Sequence, residues 1–208
     1  MYSKLPIELK SFVTQLVMSR LMDHLGVSNI AQLHRLLLDY FDNDVSIKRE
    51  IRSGFWYKKL NGQQFARKEK LVRLCKVMPE ANNIINHKLF LLLATTKRLR
   101  FKWLLSTKSE INHDIFLCHA AIDGPLSVWF EECKESSFFA FNQLVAFSTQ
   151  KTLDNLTFFL LARRGLFSCE AEALNKFLIL RAYGNLKNEI TAIKHISFVD
   201  SQINFHLT

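Results

Sequence analysis

Sixteen Lys and Arg side chains fall between Lys48 and Lys108, against three acids, Glu50, Glu69 and Glu80, a local balance of +13. Residues 1–47 carry four bases and five acids, and residues 109–208 carry eight bases and eleven acids, so the +9 net charge of the 208-residue chain arises from this block alone. Clustered cations of this kind bind polyanions, because Lys and Arg that neutralise phosphates release condensed counterions and so give affinity before any base is read. The competing reading is a set of solvated helix faces, with Lys68, Lys70, Arg73 and Lys76 as the wet side of a helix that buries Leu71 and Leu74. Three acids are too few to balance the block in that way, so an anionic partner, nucleic acid first, is expected.

A second set of residues has the makings of metal chemistry. Asp123 is followed nine residues later by Glu132-Cys133-Lys134. Two carboxylates can hold a divalent cation while a lysine steadies the attacking water or the phosphate. This D…E-x-K form resembles that of PD-(D/E)xK nucleases, in which the E-x-K lies on a strand; Leu126–Lys134 reads at least as well as a helix, which leaves a metal-dependent nuclease as the lesser alternative. Asp114–Ala120 resembles the opening strand of TIR domains, but the alternating strands that fold requires do not follow it. His113, Cys118, His119 and Cys133 fit no paired zinc-ligand spacing. Phosphate-binding glycine loops, the dinucleotide fingerprint, the nucleophile elbow and H-E-x-x-H are all absent from the sequence, so no catalytic residue, no metal and no cofactor is expected.

Composition bounds the elements that must position these residues. With 49% apolar and 23% charged residues the chain has the make-up of a globular protein, and with only 6 Gly and 3 Pro it has few obligatory turns, which points to an all-α fold. Cys75, Cys118, Cys133 and Cys169 are widely spaced, and Met1–Lys10 has no signal-sequence character, so a disulfide framework is not expected and a cytoplasmic location is. The longest apolar runs, Leu89–Ala94 and Phe158–Ala162, fall far short of the ~18 residues of a membrane span.

Along the chain, Leu9, Phe12, Val13, Leu16, Val17, Leu21 and Leu25 recur at three- and four-residue spacing between Pro6 and Gly26, which predicts an amphipathic helix. Ser28 is the expected cap of a second helix that ends at the polar break Asp42-Asn43-Asp44. A third helical region runs from Ser46 to Asn61-Gly62, either bent at Ser53-Gly54 or divided there into two short helices. Unbroken, it would carry Lys48, Arg52 and Lys59 on one face. Arg67–Val77 and Ala81–Thr96 follow as helices, the first stopped by Pro79, and Lys97–Trp103 is the expected junction between halves. The remainder is Phe-rich, with helices expected over Glu110–Ala121, Leu126–Lys134, Phe138–Phe147, Thr152–Arg163, Glu170–Tyr183 and Leu186–His195. Ile203, Phe205 and Leu207 alternate with polar residues, the pattern of a short terminal strand.

The run Ile51…Trp56…Leu60-Asn61-Gly62…Leu71…Leu74-Cys75 resembles the second half of a Cro/C1-type (XRE-like) helix-turn-helix domain, over roughly residues 28–93. In that family an apolar residue four before the turn packs the recognition helix, and leucines of the next helix brace it. The chain departs from the pattern at Ala66, where many members have proline, and at Asp42-Asn43-Asp44, which replaces a shorter Gly-containing turn. The resemblance implies that Lys48, Arg49, Arg52, Lys58 and Lys59 face the DNA groove and that Arg67 and Lys68 contact phosphate. Phe55 either touches a base or sugar or, with Trp56, is core. The expected organisation is a DNA-binding domain over 1–96 and an α-helical domain over 97–208 for dimerisation or partner binding. The expected function is sequence-specific binding of double-stranded DNA by a homodimeric transcriptional regulator. A protein-interaction module for an acidic partner is the alternative.

Overall fold

The computed structural model describes residues 2–65, 68–94, 146, 148–149, 153–161, 172–190, 193 and 196–207, and every regular element among them is helical. A 3-10 turn at Tyr2–Lys4 leads into α1 (Ile7–His24), followed by α2 (Ile30–Tyr40), α3 (Val45–Arg52), α4 (Phe55–Leu60), α5 (Lys68–Val77), α6 (Ala81–Ile85) and α7 (Lys88–Ala94). Later come α8 (Leu153–Leu161), α9 (Glu172–Ile190) and α10 (Ile196–Leu207). No helix among the described residues is long and apolar enough to cross a membrane.

Two compact units result. One comprises Met1–Phe90 with Ala192–Gln202, the other Leu91–Thr191 with Ile203–Thr208. The division falls at 90/91 rather than at the expected 96/97, and the first unit also takes a stretch from near the end of the chain. The expected junction Lys97–Trp103 and the helices expected over Glu110–Ala121 and Leu126–Lys134 lie outside the described residues.

In the first unit α1 is the central helix. Leu9, Val13, Leu16, Val17, Met18 and Leu21 are all buried, and so are Thr14 and Gln15, because α1 packs against both α4 and α6. The Tyr2 hydroxyl shares a 2.7 Å hydrogen bond with Thr14 Oγ1 and donates to the Lys10 carbonyl at 3.2 Å, which ties the N-terminus to this helix. Pro6 precedes α1 and Gly26, at φ 63°, follows it, as the spacing predicted. Trp56, Leu74, Met78, Ile85 and Phe90 complete the core, with the Phe12 and Phe90 rings edge-on at 6.3 Å.

Three local expectations are corrected. Asn29 rather than Ser28 caps α2, its side chain accepting from Gln32 N at 3.0 Å, while Ser28 donates to the Gln32 side chain. The helix expected over Ala81–Thr96 is broken at Asn86-His87, where His87 Nδ1 accepts from Leu89 N at 3.3 Å and so opens α7. Near the end of the chain α10 stands where a strand was expected: Val199 and Ile203, four apart, are buried, while Phe205 is exposed.

In the second unit α8 packs on α9, burying Leu156, Phe159 and Leu160 from one and Leu178, Ile179, Ala182 and Leu186 from the other. The two helices expected over Glu170–Tyr183 and Leu186–His195 are one, α9 running unbroken through Gly184. The packing of its neighbours outweighs the ~1 kcal/mol that a mid-helix glycine costs.

Candidate functional site

The centre of the basic block is built on α2, a four-residue link and α3. Leu33 and Leu37 fix the inner side of α2 in the core. The link Phe41–Asp44 turns the chain through left-handed conformations at Asp42 (φ 47°) and Asn43 (φ 59°), which short polar side chains tolerate better than most. Asp44 then caps α3: its carboxylate accepts from Ser46 N at 2.5 Å and from the Ser46 hydroxyl. Those bonds, the hydroxyl's first, hold the Asp44 carboxyl below the usual range.

Periodicity then sorts α3 into two faces. Ile47 is fully buried, Glu50 is 4% exposed and Ile51 is half-buried, so Val45, Lys48, Arg49 and Arg52, at i, i+3, i+4 and i+7, form one exposed stripe. Val45, at 71% exposure, stands at its N-terminal end. The eight residues of α3 span about 12 Å at 1.5 Å per residue.

What fixes the rotation of α3 is an ion pair. The Glu50 carboxylate points inward and accepts from Arg73 Nη1 of α5 at 2.7 Å, and the Arg73 guanidinium also lies 5.9 Å from the Phe41 ring of the link. A buried carboxylate needs such a partner. Arg73 is therefore one of the block's cations committed to holding the site together rather than to meeting an external anion. The sequence carried a signal for this: Glu50 lies on the same stripe as Ile47 and Ile51, and an acid on an apolar stripe requires a cation from elsewhere in the fold.

The chain breaks at Ser53-Gly54, with Gly54 at φ 66°, and α4 starts afresh. Two helices thus replace the single one on which Lys48, Arg52 and Lys59 share a face. Trp56 points into the core, and so does Lys59, which is 4% exposed. The Lys59 Nζ donates to the Gln64 carbonyl and lies 5.0 Å from the Phe55 ring and 5.4 Å from the Phe65 ring. Burial, and then neighbouring Lys58, push its ammonium pKa down. Lys59 is accordingly a structural cation and not part of the exposed face, which corrects the expectation drawn from the resemblance.

Lys58 is exposed, and its Nζ donates back to the Ser53 carbonyl at 2.9 Å, so its charge sits beside the end of α3. Tyr57, next to it, is exposed. Phe55 is half-buried, edge-on to Trp56 at 5.1 Å, and belongs with the packing of α4.

Of the seven cations singled out in the sequence, Lys48, Arg49 and Arg52 are therefore exposed on α3, and Lys58 is exposed in the last turn of α4 with its Nζ reaching back to the end of α3. Arg67 lies outside the described residues, as does the Lys68 side chain at the head of α5. Asp123, Glu132 and Lys134, and the scattered His113, Cys118, His119 and Cys133, also lie outside them. Among the described residues no group of three or more His, Cys, Asp or Glu could hold a metal ion. Two features were missed in the sequence: exposed Val45 on the cationic stripe, and the Glu50–Arg73 pair behind it. The chain matches no family model, no curated protein and no solved structure.

Proposed function

We propose that the protein binds double-stranded DNA, with α3 entering the major groove and Lys58 resting on the adjoining backbone. The observation that carries this reading is the single stripe of Lys48, Arg49 and Arg52 on an α3 whose opposite face is fixed by Ile47 and by the Glu50–Arg73 pair. A groove about 12 Å wide admits a helix, and Arg and Lys are the side chains that reach guanine O6 and N7. The order of α2, a short link and α3 supports a helix-turn-helix reading, in which the second helix reads the bases and the first crosses the backbone, with the recognition helix that the resemblance carries on to Leu60 divided here at Gly54. Regulation of transcription by a two-fold dimer on paired half-sites is the biological role that follows from such a module.

Fluorescence anisotropy of a labelled duplex over a range of salt concentrations tests the proposal. Lys48, Arg49, Arg52 and Lys58 bring four positive charges against the duplex, and with one condensed counterion displaced by each, in the groove or on the backbone, the slope of log affinity against log salt reaches about −3.6, or roughly a 150-fold loss from 50 to 200 mM salt. A protein that shifts no duplex at low salt, or whose binding is independent of salt, does not work this way.

A further inference from the structure

The stripe that α3 turns outward is not wholly cationic. Lys48, Arg49 and Arg52 occupy its middle and C-terminal parts, and its N-terminal position is Val45, at 71% the most exposed large apolar side chain among the described residues. Local structure does not require a valine there. It is the first residue of α3, where Asp or Glu would stabilise the helix through its dipole, and the first turn of α3 carries neither. Valine is β-branched and a weak helix former, and at that exposure packing against the chain returns little for it.

The surroundings of Val45 narrow what it can meet. The Asp44 carboxylate beside it is turned back onto the Ser46 amide and hydroxyl, and Asp42 is exposed in the preceding link. Two acids at this end of the helix disfavour a phosphate there, and a phosphate offers a valine no apolar contact. The base edges of the major groove do offer one. Of the four bases only thymine presents an apolar group in that groove, its C5 methyl, and it is the N-terminal residues of a recognition helix that meet base edges.

We propose that Val45 packs on the C5 methyl of a thymine in the major groove, so that the protein selects thymine at the base pair met by the N-terminal end of α3. This assignment rests on the DNA-binding reading of α3 and adds to it the identity of one base. Lys48, Arg49 and Arg52 supply charge along the rest of the stripe, and Val45 supplies a preference that charge cannot.

The test begins with sequencing the duplexes that the full chain retains from a random-sequence pool. The most enriched duplex is then resynthesised with uracil in place of thymine, one position at a time. Uracil keeps the pairing, the phosphates and the hydrogen-bonding edge and lacks only the methyl. Fluorescence anisotropy should show one enriched thymine whose replacement by uracil weakens binding about fourfold, which is what burial of a single methyl-sized apolar group gives. Val45→Ser and Val45→Asn, small polar side chains at an exposed position, should each fold as judged by circular dichroism and bind the thymine and uracil duplexes equally. A retained pool with no thymine preference at any position, uracil tolerated throughout by the unaltered protein, or a folded Val45 variant that still prefers thymine by the same factor overturns the proposal and leaves DNA binding standing. Retention of no duplex even at low salt overturns the DNA-binding reading, and the thymine contact with it.

Discussion

Replacing Arg73 with Met removes the guanidinium that the buried Glu50 carboxylate accepts from at 2.7 Å and that lies 5.9 Å from the Phe41 ring, while keeping an aliphatic side chain at the position. Breaking a buried pair by removing one partner costs about 3–5 kcal/mol. The Arg73 side chain is 27% exposed, so water reaches the vacated position and part of that cost is recovered. The expected destabilisation is therefore about 2–3 kcal/mol. Adding Glu50→Leu to Arg73→Met removes the stranded carboxylate and places an apolar side chain on the Ile47–Ile51 stripe, which should bring stability back to within about 1 kcal/mol of the parent. Urea denaturation followed by circular dichroism, with all four members of the cycle measured together, reads these values. A loss below about 0.5 kcal/mol for Arg73→Met, or a double variant no more stable than the single one, would refute the reasoning that this pair fixes α3.

Other expectations concern the neighbouring elements. Lys59→Met should destabilise the fold by about 1–3 kcal/mol, because it leaves the Gln64 carbonyl without its donor, whereas Lys58→Ala should leave stability nearly unchanged and lower DNA affinity instead. The Lys59 pKa is lowered in the folded chain, so between that value and the unfolded ~10.4 the unfolded state binds more protons and the Lys59 contribution rises with pH. The stability difference between the parent and Lys59→Met should accordingly grow toward alkaline pH; a difference that shrinks over that interval contradicts the sign. Gly54→Ala should cost about 1–2 kcal/mol, since φ is 66° there, while Gly184→Ala should stabilise by about 0.5–1 kcal/mol, because that glycine is mid-helix and an added Cβ meets nothing within 4 Å. Urea midpoints that move the same way for both glycine variants would contradict this contrast.

The parts of the fold that were legible in the sequence are those governed by local periodicity. Seven apolar residues at helical spacing bounded by Pro6 and Gly26 leave α1 little alternative, and the division at Ser53-Gly54 was one of two readings the sequence allowed. The burial of Lys59 was not legible, because it depends on the change of direction at Gly54: a turn in the left-handed region gives α4 a new axis and sends residue 59 inward. The break at Asn86-His87 carries neither Gly nor Pro and relies on a histidine nitrogen as the cap. The alternation over Ile203–Leu207 was too short to tell a strand from the outer turn of a helix whose buried positions are Val199 and Ile203. The Glu50–Arg73 contact joins residues 23 apart, so only the fold could bring it about. At the candidate site the cation types were legible, but which of them share an exposed face required the helix axes.

Salt titration of duplex binding by the parent protein beside Lys48→Ala/Arg49→Ala/Arg52→Ala tests the central claim most directly. All three side chains are exposed, so the triple variant should keep its fold and its urea midpoint. Each cation taken away from the duplex, in the groove or on the backbone, lowers the slope of log affinity against log salt by up to about 0.9, so the triple variant should lose up to about 2.7 of that slope and most of its affinity at low salt. An unchanged slope in a folded triple variant, with duplex still bound, would show that the α3 stripe is not the DNA-binding surface.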